Sequence, residues 1–190
     1  MCRWLAYTGN PIRPRLLLFD PEHALVNQSY DAHQAESPTQ GDGFGIGWYG
    51  ANDTPALYRS ILPAWNDRNL LELADNVTSG HFLAHVRAAT NAEIQQTNCH
   101  PFRHGRWLFM HNGRIEGFER CRRELMLAVA PELFPCVRGS TDSELMFYLA
   151  LSEGLDDDPL VALQRMVGVV ELAGAHQGIE GMLQMTVACS

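Results

Sequence analysis

Apolar and polar positions divide the chain into short strands followed by helices. Residues 2–7, CRWLAY, alternate at the two-residue period of a half-buried strand and run into Thr8-Gly9-Asn10-Pro11, a turn-forming cluster. The stretch 14–30 mixes an apolar patch with Asp20-Pro21-Glu22, which predicts a loop and then a helix to about Gln28, capped by Asp20 with Pro21 in its first turn. Residues 41–50, GDGFGIGWYG, read as a strand with glycine at every second position, so that one face lies open to another backbone or a ligand. A return strand is predicted at 56–59, and a helix over 66–77 carries Leu70, Leu71, Leu73 and Ala74 at helical spacing. Residues 80–90, GHFLAHVRAAT, form another strand, and 107–110 form a four-residue apolar strand that runs into His111-Asn112-Gly113. Helices follow over 118–129, 142–153 and 159–173, and 182–189 returns to strand.

Antiparallel-looking strands followed by helices and a last strand predict an α+β fold. A length of 190 residues with 46% hydrophobic content suits a single domain over 1–190. The chain stops on an apolar strand, so a C-terminal piece is expected beyond it.

Charge and cysteine content narrow the function. The net charge is −8 and the arginines are scattered apart from the run Arg120, Arg122, Arg123, so no basic face is offered to nucleic acid. The longest apolar runs, such as 16–19 and 166–170, fall far short of the roughly 18 residues of a membrane span. Five cysteines, odd in number and without a C-x-x-C pair, point to a reducing cytoplasm. Glycine in G-D-G-F-G-I-G has the wrong spacing for a dinucleotide loop, and no helix pattern follows it.

Cys2 becomes a first residue as soon as the initiator methionine is removed, and then carries both a thiol and a free α-amine. Their reference pKa values, about 8.5 and about 7.7–8.0, let one residue hold nucleophile and base. Position 2 by itself proves nothing, because a small apolar residue beginning a strand is the ordinary reading of such a cysteine. Arg87, near a strand end among small residues, presents a planar fork suited to a carboxylate, and Thr90 adds a hydroxyl; a surface arginine along its strand is the alternative. Asn112-Gly113 is either a tight hairpin turn or, because helical spacing follows, a pair of oxyanion donors. Asp142 lies in a capping box, Thr141-x-x-Glu144, where a helix dipole accounts for it, and where it could also receive an ammonium group. Cys99, His100 and His104 match no zinc spacing, so neither metal nor cofactor is expected.

Taken in order, Cys2, H-V-R-A-A-T, H-N-G and S-T-D-S-E resemble the class II glutamine amidotransferases. The opening M-C-R-W-L-A-Y with G-D-G-F-G-I-G-W-Y is similar to their small stand-alone branch, which includes the γ-glutamyl hydrolase of ergothioneine biosynthesis. The resemblance implies a four-layer αββα N-terminal-nucleophile hydrolase fold that here stops before the family's final strands. It implies that Cys2 is the nucleophile with its own amine as base, that Arg87 and Thr90 hold the substrate α-carboxylate, that Asn112 and Gly113 form the oxyanion hole, and that Asp142 binds the α-amine. Ala88 and Asn91 stand where better-known members have tryptophan and histidine.

The implied reaction is hydrolysis of glutamine or another γ-glutamyl amide through a thioester. Ammonia either passes to a synthetase partner in trans or leaves from a free-standing γ-glutamyl hydrolase. A glutamine-binding regulatory protein without turnover and a structural subunit are the rivals from other classes.

Overall fold

The computed structural model describes residues 2–30, 40–88 and 93–190, which form two compact units, Met1–Met110 with Val187–Ser190, and His111–Thr186. In the first unit the strands β1 (Arg3–Ile12), β2 (Phe44–Trp48), β3 (Ala56–Ser60) and β4 (Ser79–Val86) form an antiparallel sheet in the order β1-β4-β2-β3. Registers of Arg3↔Val86 and Phe44↔Val86 align the strands, so residues of equal parity share a face. Phe44, Ile46, Phe82, Ala84 and Val86 face the short helices α1 (Arg15–Leu18) and α2 (Leu25–Tyr30) and the helix α3 (Arg68–Asn76), where Leu18, Leu25, Val26 and Leu70 complete the core. Burying each of the large members contributes roughly 1.5–3 kcal/mol.

The opposite face packs on a second sheet. It carries Leu83, with Trp4 and Tyr49 beside it, against Leu108, Met110 and Ala188. These belong to β6 (Trp107–Ile115) and β7 (Leu183–Cys189), which with β5 (Phe102–His104) form a sheet ordered β5-β6-β7. The unit is thus three layers, helices on sheet on sheet. The expected stripe of glycines makes the close approach possible. A Cβ at Gly45 would collide with the carbonyl oxygen of His100, and one at Gly47 would lie 2.8 Å from Leu108 and 3.1 Å from Pro101.

In the second unit the helices α4 (Phe118–Ala128), α5 (Asp142–Ser152) and α6 (Pro159–His176) pack on one another. The side chain of Asp158 caps α6 at Leu160 and Val161, with Pro159 at its first position. Asp67 caps α3 through Leu70 N–H at 2.9 Å, inside the helix expected over 66–77.

Four local expectations are corrected. β1 does not stop at Thr8 but runs through the Gly9-Asn10-Pro11 cluster to Ile12, absorbing it as a register shift between Thr8 and Ile12. Asp20 caps no helix; its carboxylate accepts from Arg15 Nε at 3.0 Å, and the helical stretch splits into α1 and α2. Asn112-Gly113 is not a turn, because β6 continues to Ile115, and Glu116 N–H bonds to the carbonyl of Met182 at 2.7 Å. The capping box is half made: Thr141 accepts from Glu144 N–H at 3.2 Å, whereas the Glu144 carboxylate goes to the N–H groups of Arg138 and Gly139. The α+β class itself is what the structure has.

Candidate active site

Sheet register brings two of the site residues together. Arg3 pairs with Val86, and the same register carried one residue outward sets Cys2 opposite Arg87. Cys2 Sγ accepts a hydrogen bond from Ala88 N–H at 3.2 Å, and the thiol faces the Ala88 carbonyl at 3.4 Å. On the other side of Arg87, its N–H bonds to the Gly43 carbonyl at 2.8 Å, and its carbonyl accepts from Asp42 N–H at 3.2 Å. The nucleophile candidate and the arginine therefore sit at one sheet end, held by backbone pairing to Asp42 and Gly43 on one side and by the Cys2 sulfur on Ala88 N–H on the other.

Arg87 is 4% exposed, so it is not the surface arginine that stood as the alternative, and its Nη1 donates to the Asp42 carbonyl at 3.3 Å. A guanidinium so enclosed acts on its surroundings through a lower dielectric than water supplies. Burial pushes the Cys2 thiol above the ordinary range, while the Ala88 N–H and the charge of Arg87 pull it down. Burial likewise raises Cys99, whose thiol donates to the Ser60 carbonyl at 3.4 Å and feels both Arg87 and Cys2. Gly43, at φ +110°, has the Cys99 sulfur where a Cβ would stand. Gly43 belongs to the alternating-glycine stretch read from the sequence, whereas the place of Cys99 beside it was not signalled and is owed to the fold.

Asn112, Gly113 and Asp142 lie in the second unit. Asn112 and Asp142 are half-buried and Gly113 is exposed. Two hydrogen bonds join the strand to the first turn of α5. Ile115 N–H donates to Asp142 Oδ2 at 2.8 Å, and His111 Nδ1 lies 2.8 Å from Ser143 Oγ. Asp142 Oδ1 accepts from Ser143 N–H at 2.7 Å. Gly113 adopts φ +142°, and a Cβ there would collide with the Gln184 carbonyl oxygen and lie 2.8 Å from His111 Nε2. His111 is 2% exposed, and burial lowers its pKa against the opposing charge of Asp142. His111 and Ser143 flank the residues singled out from the sequence; their adjacency to Asn112 and Asp142 was the available signal.

Thr90 lies outside the described residues. Among the described residues, no three His, Cys, Asp or Glu side chains are grouped to hold a metal ion, and no helix is long and apolar enough to cross a membrane. His100 stacks on His85 with ring centroids 4.3 Å apart.

The sequence model of the class II glutamine amidotransferases matches residues 21–178. A probable glutamine amidotransferase of Saccharomyces cerevisiae, DUG3, is 42% identical over 160 residues, covering 80% of this chain and 45% of that protein. The γ-glutamyl-hercynylcysteine sulfoxide hydrolase of Mycolicibacterium smegmatis is 33% identical over 158 residues, covering 82% of this chain and 65% of the enzyme. This chain thus spans about half the length of the first relative and just under two thirds of the second. A solved glutamine aminotransferase class-II domain protein from Silicibacter pomeroyi superposes with a TM-score of 0.76 at 37% identity, over 98% of this chain and 72% of that one. The chain belongs to the class II glutamine amidotransferases.

Proposed function

We propose that the protein hydrolyses a γ-glutamyl amide through a thioester on Cys2, and that residues 1–190 work as one amidotransferase domain. The observation that carries this reading is the Cys2 sulfur set 3.2 Å from the N–H of Ala88, the residue that follows the buried Arg87. The names of the yeast and mycobacterial relatives, an amidotransferase and a γ-glutamyl hydrolase, favour the same chemistry.

A thiol raised by burial is protonated at neutral pH and needs a base. Removal of Met1 would free the Cys2 amine, which titrates near about 7.7–8.0 and stands on the same residue. The amine takes the thiol proton, and sulfur attacks the side-chain amide carbon. Asn112 and the Gly113 N–H stabilise the resulting oxyanion. Collapse breaks the C–N bond, the amine returns its proton to the leaving ammonia or amine, and a γ-glutamyl thioester remains. Water then attacks that thioester, releasing the γ-carboxylate and restoring the thiol. Arg87 and Thr90 hold the α-carboxylate, and Asp142 holds the α-ammonium group.

Ammonia handed to a synthetase partner and release by a free-standing hydrolase are two settings for the same half-reaction. Five cysteines, odd in number and without a C-x-x-C pair, fit a reducing, cytoplasmic compartment. Glutamate release from glutamine and from γ-glutamyl peptides, with and without a synthetase, tests the reading. Turnover by the chain alone supports the hydrolase, turnover only with a synthetase supports transfer, and binding without any release contradicts both.

A further inference from the structure

The hydroxyl of Ser143 stands between two acceptors and has one proton to give. Its Oγ is 2.8 Å from His111 Nδ1 and 3.2 Å from Asp142 Oδ1. The other ring nitrogen, Nε2, lies 3.3 Å from the carbonyl of Gln184, which can only accept. A neutral His111 therefore carries its proton on Nε2, and its Nδ1 accepts a hydrogen bond from the Ser143 hydroxyl. A charged His111 would donate from both nitrogens, and the Ser143 hydroxyl would then turn to Asp142 Oδ1.

That second state alters the carboxylate. Asp142 Oδ2 is already engaged by Ile115 N–H and Oδ1 by Ser143 N–H, so each oxygen keeps one acceptor site for a ligand cation, and the Ser143 hydroxyl competes for the one on Oδ1. We propose that His111 and Ser143 are positioning residues: the neutral ring draws the Ser143 hydroxyl away from Asp142 and leaves Oδ1 open to the α-ammonium group of a γ-glutamyl substrate. Proton uptake by the ring and substrate binding are then antagonists. This rests on the proposed role of Asp142 and adds to it a pH-dependent affinity.

The surroundings fit a neutral ring as the resting state. Burial lowers the pKa of His111 and outweighs the opposing pull of Asp142. Glu144, one position beyond Ser143 on α5, is directed at the N–H groups of Arg138 and Gly139. From β7 the ring meets the Gln184 carbonyl, and the same carbonyl closes over Gly113, next to Asn112 on β6. His111 thus braces the proposed oxyanion pair while it governs the proposed ammonium acceptor.

The test is the KM for glutamine between about pH 5 and about pH 8, read from glutamate release by the wild type, S143A and H111Q. The wild-type KM is expected to rise about tenfold toward acid, with kcat moving less, and both variants to lose that dependence. Glutaric acid monoamide, which is glutamine without the α-amine, should show a flat KM with the wild type. A wild-type KM for glutamine that does not move, or an equal acid rise in all three proteins, overturns the inference while the hydrolase reading stands. Absence of glutamate release from every γ-glutamyl amide tried would remove that reading and this one together.

Discussion

The Cys2 sulfur accepts a hydrogen bond of 3.2 Å from the N–H of Ala88, the residue that follows the buried Arg87. A donor and a cation beside a sulfur both favour its thiolate, yet desolvation outweighs them and leaves the thiol raised. In a chain that keeps Met1, alkylation of Cys2 by iodoacetamide should therefore accelerate only on the alkaline side of an ordinary thiol titration. Removal of Met1 supplies a base, and reaction at neutral pH should follow. Rapid neutral alkylation of the Met1-bearing chain would contradict this account of activation.

Arg87 is the buried cation of the proposed carboxylate site, and its fork geometry cannot be copied by an ammonium group. Arg87→Lys is expected to raise KM for glutamine by about 10–100-fold, since a charge-assisted pair is worth roughly 1.5–3 kcal/mol. Steady-state kinetics of the variant, with its fold checked by circular dichroism, measures this. An unchanged KM would place the substrate carboxylate elsewhere.

Gly45 shows how much the two-sheet packing depends on missing side chains. Its position opposite the His100 carbonyl leaves no room for a methyl group, with Arg59 Cγ at 2.8 Å and Tyr58 O at 3.1 Å from the same point. Gly45→Ala should destabilise the protein by about 1–3 kcal/mol, the usual range for overpacking, seen as a lower urea midpoint at unchanged slope. Gly50, with nothing near it, is the control, and Gly50→Ala should leave the midpoint within about 0.5 kcal/mol.

This stripe was legible in the sequence because a period of two with glycine has few other meanings in a strand. The helix starts at Asp67 and Asp158 are cases where local chemistry and tertiary structure agree. Asn112-Gly113 was not legible. The pair is a strong hairpin signal by local preference, and only its neighbour β7, 70 residues on, keeps the strand straight to Ile115. The burial of Arg87 was not legible for the same reason, since Asp42 and Gly43 on one side and Cys2 on the other are far away in the chain. Residue identities at the candidate site could be read one by one, whereas burial and the His111–Ser143–Asp142 chain depend on strand register.

Asn112 carries the proposed side-chain donor to the oxyanion. Asn112→Ala should lower kcat by about 100–1000-fold, equivalent to roughly 2.7–4 kcal/mol of transition-state stabilisation, with little change in KM. A loss confined to KM would assign Asn112 to substrate binding instead.

The central claim, that Cys2 is the nucleophile, is met most directly by mass spectrometry of the protein after exposure to 6-diazo-5-oxo-norleucine, an electrophilic glutamine analogue. The account predicts one label, on Cys2 of chains that have lost Met1, blocked by excess glutamine and absent in Cys2→Ala. A label on Cys99, Cys121, Cys136 or Cys189, or full labelling of the Cys2→Ala protein, would contradict it.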